Sequence, residues 1–299
     1  MERGEPLARI LTTDRREVAV VGAVRIAASR DQLVARYRSI DNLKRSAIVL
    51  DAGVFSHEPR VSDLDRLAFE DHSLDLRDCR AGDCRVRLGP EDVARFHREV
   101  DWNAPDWRLR SAAVWREVLA GHAAAYQRAG RTALPVYVNR AESLSVASEL
   151  ELLLASYAFL ADYSPGLFAY LRSLGPEGLP GTDRALYWTK EDFGVRPIIR
   201  ISNQIIQGAA RSNDPVIVTS NQVYADHYLD AAITATLALT APDDDGRSFY
   251  MISVNRVRTR SLTGFLRSMI RSTVQNRSRD AMQKILAATK SALETEQRR

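Results

Sequence analysis

The spacing of apolar positions divides the chain into three stretches of different texture. The first opens with Glu17-Val-Ala-Val-Val-Gly-Ala-Val-Arg-Ile26, whose β-branched residues predict a strand. Ser29 then stands where an N-cap belongs, with Asp31 and Gln32 in the first turn, and predicts a helix through residue 40. A second strand is expected over 46–55.

Residues 62–174 read as mostly helical. Gly89-Pro90-Glu91-Asp92 is a helix start, and Val93, Phe96, His97 and Val100 follow at helical spacing. A helix over 106–128 would turn Leu109, Ala113, Val114, Val118 and Ala125 to one side. Another over 143–161 would do so with Leu144, Ala147, Leu150, Leu154 and Tyr157, and Pro165 opens a shorter one. Gly175-Pro-Glu-Gly-Leu-Pro-Gly181 forbids a continuing helix and marks a seam.

The third stretch is a run of strands, expected over 186–190, 196–207, 215–222, 227–240 and 247–256. The connections, such as Ala241-Pro-Asp-Asp-Asp-Gly246, are too short for parallel crossovers, so the neighbours should be antiparallel. Alternation puts Ile199, Ile201, Asn203 and Ile205 on one face of their strand, and Ile233, Ala235, Leu237 and Leu239 on one face of theirs. A long helix over 261–294 closes the chain. Its stripe of Leu262, Phe265, Leu266, Met269, Ile270 and Val274, continued by Met282, Ile285, Leu286 and Leu293, needs a surface, and the sheet is the obvious one. The fold class is therefore α+β.

This order of elements resembles the helix-grip fold of START-like and Bet v 1-like (SRPBCC-type) proteins, in which a curved antiparallel sheet wraps around a long C-terminal helix and leaves a cavity. Residues 1–61 and 182–299 carry the resemblance, and 62–181 would be a large helical insertion. Shorter motifs are similar to those of a group of bacterial proteins without an assigned activity. They are Cys79-Arg-Ala-Gly-Asp-Cys84, Tyr187-Trp-Thr-Lys190 with Phe193-Gly194, Gln222-Val-Tyr-Ala-Asp-His-Tyr228, and Asn255-Arg256 before Leu262-Thr-Gly264. Members of that group often begin with a signal peptide. The resemblance thus implies an exported or periplasmic location if a leader has been removed, and a cytoplasmic one otherwise.

Composition adds a few bounds. Of 299 residues, 45% are hydrophobic and 27% charged, as in a folded soluble chain, and no run approaches the roughly 20 apolar residues that span a bilayer. Residues 1–11 alternate charge and apolarity and contain no apolar core of a signal peptide. The net charge of +4 is uneven: from Arg256 onward the acidic residues are only Asp280, Glu294 and Glu296, so the tail is strongly basic and the remainder acidic. Such a block attracts an anionic membrane or an acidic partner, or else forms a solvated helix face. Few aromatics accompany it, which argues against nucleic acid. Cys79 and Cys84 can close a disulfide around Gly82 or stay as free thiols; with His72 they lack a fourth metal ligand.

Candidate chemistry is sparse. The sequence holds no Gly-x-Ser-x-Gly elbow, phosphate-binding glycine loop or His-Glu-x-x-His, and Asp243-Asp244-Asp245-Gly246 reads as a polar turn. Neither metal nor cofactor is expected. The densest polar cluster among the strands is Gln222, Tyr224, His227 and Tyr228, where histidine beside phenols can move a proton or orient a ligand oxygen. Asn203 and Asn255 sit on faces otherwise apolar and need hydrogen-bond partners, which a ligand or a water would supply. Arg256, Arg258 and Arg260 alternate into a fork able to hold a carboxylate or phosphate. Trp188 and Arg200, on the first two strands of the run, complete the set of candidate ligand contacts.

The expected function is non-catalytic binding or transport of a hydrophobic or amphipathic small molecule, such as a lipid, sterol-like or polyketide-like compound, in an internal cavity. Two alternatives stand beside it. One is a cyclase or dehydratase using His227 and a nearby tyrosine; the other is an anionic-membrane or partner-binding role for the basic C-terminal helix.

Overall fold

The computed structural model describes residues 4–40, 48–139, 142–192, 196–209, 211, 214–242, 247–260 and 267–297. Leu7–Leu11 (β1) and Glu17–Ile26 (β2) form a hairpin, followed by Arg30–Arg38 (α1) and Val49–Val54 (β3). The helical stretch holds Asp71–Leu74 (α2), Pro90–Glu99 (α3) and Trp107–Ala129 (α4), then the hairpin Val136–Asn139 (β4) and Glu142–Ser145 (β5). Val146–Leu154 (α5), Leu160–Tyr163 (α6) and Pro165–Ser173 (α7) complete it. The strands Asp183–Glu191 (β6), Ile198–Gln207 (β7), Val216–Ala225 (β8), Ala231–Thr240 (β9) and Phe249–Arg258 (β10) follow, and Arg267–Glu296 (α8) ends the chain.

The main sheet is curved, has eight strands in the order β1-β2-β10-β9-β8-β7-β6-β3, and is antiparallel throughout. The five late strands join as a meander, as their short connections require. The last of them, β10, pairs with β2 along its whole length, from Phe249 opposite Ile26 to Arg258 opposite Glu17. The sequence pattern does not predict β1, which pairs with the outer side of β2.

Each face of the sheet is covered by helices, because alternation gives it two different apolar sets. Val20, Val24, Ile26, Val218 and Met251 meet Leu33 of α1 and Met282, Leu286 and Leu293 of α8. Gly22 permits this approach: a Cβ there would lie 2.6 Å from Met282 and 2.7 Å from Leu286. On the opposite face Ile199, Ile201, Ile205, Ile233, Ala235 and Leu237 form one core with Val114, Trp115, Leu150 and Tyr157 of the helical stretch. That stretch therefore shares its core with the sheet.

Local chemistry explains most boundaries. At α1 the Ser29 hydroxyl accepts from Gln32 N at 3.2 Å, and the Gln32 side chain accepts from Ser29 N at 2.9 Å, a reciprocal capping box. The helix expected over 143–161 is a correction. Residues 142–145 pair with 136–139 as β5, and the Ser145 hydroxyl caps the Ser148 amide, so α5 begins only at Val146. Leu109 is a second correction: it is 75% exposed, and α4 instead buries Val114, Trp115, Val118, Leu119 and Tyr126. Of the C-terminal stripe, Met282, Leu286 and Leu293 are buried; the side chains of Leu262, Phe265, Leu266, Met269 and Ile270 lie outside the described residues, as do Asp243–Gly246.

A partly buried ionic network fastens the helical stretch to the end of the sheet. Arg258 donates to Glu149 of α5 and to Asp14, each at 2.6 Å. Arg16 reaches Glu149 at 2.8 Å and Asp230 at 3.1 Å, and Arg87 meets the other oxygen of Asp230 at 2.5 Å. The Glu149 carboxyl is raised by burial, but hydrogen bonds from Arg258 and Arg16 outweigh this and hold it below its ordinary range.

Candidate functional site

Between the sheet and the helices α1 and α8 lies a cavity of about 220 Å³. Its position follows from the strand period. Residues 200 and 204 on β7, 234 and 236 on β9, and 253 and 255 on β10 point toward α8, whereas Ile201, Ala235 and Val254 between them point to the helical stretch. The floor is therefore polar although the strands are buried on both sides. The roof is Met282, Ile285, Ala288 and Thr289 of α8, and Tyr37 of α1 closes one flank. Ser39 and Ala288 are exposed and lie on its rim.

The floor is a chain of polar side chains, partnered by other strands of the sheet or by α1. Thr236 and Ser253 share a hydroxyl–hydroxyl bond of 3.0 Å, and Asn255 Nδ2 donates to Thr234 Oγ1 at 3.0 Å. Tyr187 OH and Ser220 Oγ lie 2.8 Å apart, and Gln204 Nε2 donates to the Tyr37 carbonyl at 2.9 Å. Burial pushes the Tyr37 phenol up, so it stays protonated.

One charged pair stands at the β6–β7 end. Arg200 Nη2 donates to Glu191 Oε1 at 2.5 Å, and Thr189 Oγ1 donates to the same oxygen at 2.7 Å. Burial pulls the Arg200 guanidinium down, but the charge and hydrogen bond of Glu191 together with the influence of Tyr187 outweigh it, so the arginine is held even more firmly protonated than usual. The cavity wall thus carries a compensated ion pair at one end, hydroxyls along the floor, Arg36 beside Tyr37 on α1, and a largely apolar roof.

Of the residues the sequence singled out, Arg200 and Asn255 line this cavity. Asn203 lies on the opposite face, where it accepts from Arg184 Nε at 2.9 Å and donates to Asn221 Oδ1 at 3.0 Å. Trp188 is fully buried against Gly53, and its Nε1 donates to the Asp63 carbonyl at 2.9 Å. Gln222 donates to the Leu229 carbonyl at 3.2 Å. Tyr224 donates to the Arg87 carbonyl at 2.8 Å and stacks on His122 with ring centroids 4.8 Å apart. Tyr228 adopts a left-handed backbone, φ 51°, and its carbonyl accepts from Arg87 and Thr259.

His227 is 4% exposed, with Nδ1 3.0 Å from Asp226 Oδ1 and its ring 6.0 Å from that of His72. Asp226 in turn accepts from the Ile199 amide at 2.9 Å, so its orientation is set by the strand. The cluster of Tyr224, His227 and Tyr228 belongs to the seam between sheet and helical stretch. Arg256, Arg258 and Arg260 do share a side, as their alternation requires. Arg256 pairs with Glu17, Arg258 with Glu149 and Asp14, and Arg260 donates to the Ser143 carbonyl at 3.2 Å. Cys79 and Cys84 are joined as a disulfide, with Cα atoms 4.6 Å apart. Among the described residues no group of three His, Cys, Asp or Glu is placed to hold a metal ion, and no helix is long and apolar enough to cross a membrane.

Glu191, Thr189, Thr236 and Ser253 went unnoticed in the sequence. A signal existed: Arg200-x-Ser202-x-Gln204, Thr234-x-Thr236 and Ser253-x-Asn255 each place polar residues in alternate positions of strands that helices cover on both faces. No protein-family model and no curated protein matches the chain.

Proposed function

We propose that the chain binds a small amphipathic molecule between its sheet and α8, as a non-catalytic carrier or receptor. The observation that carries this reading is the division of the cavity wall: α8 supplies Met282 and Ile285, while β9 and β10 supply Thr234, Thr236, Ser253 and Asn255. A guest with an apolar body and a polar end matches such a wall better than a bare hydrocarbon, which would cover the polar floor without making a hydrogen bond to it. At about 220 Å³ the space is smaller than the roughly 300–1,000 Å³ of pockets for drug-sized ligands. The guest, or the part of it that enters, is accordingly small.

Two further observations support the reading. The eight-stranded antiparallel sheet with a long last helix on one face is compatible with a helix-grip architecture, in which the gap between sheet and helix is the binding space. The Cys79–Cys84 disulfide is of a kind that persists outside the reducing cytosol, which supports an exported location.

The test is a filled cavity. Replacing Thr236 and Ser253 together by leucine removes both partners of one hydroxyl pair, takes from Tyr37 only its 3.5 Å contact with Thr236, and places new side chains in the space. Native mass spectrometry and solvent extraction of the purified chain should find a small molecule on the wild type and none on the folded double variant. A wild type that carries nothing and takes up none of a panel of small alcohols, acids and amines would end the proposal.

A further inference from the structure

We infer that the group held at the polar end of the cavity is neutral and both donates and accepts a hydrogen bond, as an alcohol or phenol does, with Glu191 and Arg200 as its anchors. The inference rests on reading the cavity as a binding site and adds the class of ligand to it. Glu191 is 2% exposed, and its Oε1 is occupied by Thr189 and Arg200. Its other oxygen, Oε2, is buried and has no hydrogen-bond partner among the described residues. The same holds for Nε of Arg200, whose Nη2 carries the ion pair. Both residues line the cavity. One acceptor and one donor are thus left open on a single ion pair, in a place where buried polar atoms are ordinarily satisfied by protein, water or ligand.

The charge of the pair decides between ligand classes. Arg200 is compensated by Glu191, so the pair itself offers no net charge to an incoming ion; Arg36 of α1 also lines the cavity and is not without a partner of its own. A carboxylate or phosphate entering there meets the Glu191 carboxylate, and an ammonium meets the Arg200 guanidinium. A hydroxyl meets neither penalty. Its proton goes to Glu191 Oε2, its lone pair takes the Arg200 Nε–H, and the carbon body lies toward Met282 and Ile285. An ether of the same size could use only the arginine.

Four probes of similar size separate these cases in calorimetric titrations of the full chain at pH 7.5: hexan-1-ol, its isomer 1-methoxypentane, hexanoate and hexylammonium. Hexan-1-ol should bind at least ten-fold more tightly than each of the others. Glu191→Gln, checked for folding by circular dichroism, leaves Arg200 uncompensated and should raise hexanoate affinity at least ten-fold. Equal binding of hexan-1-ol and its isomeric ether, or wild-type binding of either ion as tight as that of the alcohol, would overturn the inference and leave the cavity reading standing. Binding of none of the four would remove both. The wild-type series decides the matter by itself should the variant fail to fold.

Discussion

Arg258 of β10 donates through Nε to Glu149 of α5 at 2.6 Å, and each side chain is less than one-tenth exposed. The pair joins the last strand to the helical stretch and is extended by Asp14 and Arg16. A buried charge keeps its stability only while its partner is ionised. Glu149→Gln should therefore destabilise the chain by roughly 3–5 kcal/mol, the range for removing one partner of a buried pair, measured as a shift in urea midpoint. The pH dependence has a definite sign. The folded-state carboxyl of Glu149 is held below its ordinary value, as is that of Asp14. Their contribution is complete above the unfolded carboxylate range of about 4 and is lost as pH falls through the lower folded values. A wild type that loses no more stability than Glu149→Gln between pH 6 and 3 would show that this network does not govern acid unfolding.

Gly22 sets the distance between α8 and the sheet. Its absent Cβ would lie 2.6 Å from Met282 Cγ, so Gly22→Ala should cost about 1–3 kcal/mol by overpacking. Met282→Ala, at a buried position, should cost about 2–5 kcal/mol. The double variant should be less destabilised than the two losses added together, because removing the methionine side chain makes room for the new methyl group. Thermal unfolding of the four proteins gives the coupling; strict additivity would mean that α8 adjusts its position at no cost.

His227 lies in the seam beside Asp226 and His72 and does not line the cavity. His227→Ala should leave hexan-1-ol affinity within about two-fold of wild type, while lowering stability by roughly 1–3 kcal/mol as a buried side chain is truncated. Calorimetry on the folded variant measures the first and denaturant melts the second. A ten-fold loss of affinity with the fold intact would join the seam to the binding site and favour an acid–base role for the histidine.

The elements themselves were largely legible in the order of residues. The strand from Glu17, the capped helix after Ser29, the proline-started helix at Pro90, the meander of late strands and the long last helix all rest on local rules: β-branching, capping, turn residues and period. Those rules act over a few residues, so a linear reading captures them. The reading of 143–161 as one helix failed because its first three residues pair with β4, a contact that helical spacing cannot reveal.

Which face of a strand meets which layer was a different matter. Alternation showed that Ile199, Ile201 and Ile205 share a side. Only the tertiary structure turned that side to the helical stretch and the side of Arg200 and Gln204 to α8. The apolar strand faces are thus filled by Trp115, Leu150 and Tyr157, and the cavity lies over the polar faces instead. Likewise, of the arginines read as a fork, Arg256 and Arg258 meet carboxylates from far along the chain, Glu17, Asp14 and Glu149, and Arg260 meets the Ser143 carbonyl. Local propensity acts between neighbours in sequence, whereas burial and charge compensation act between neighbours in space. The sequence therefore determined the elements and the alternation of their faces, and the packing of three layers decided what each face would hold.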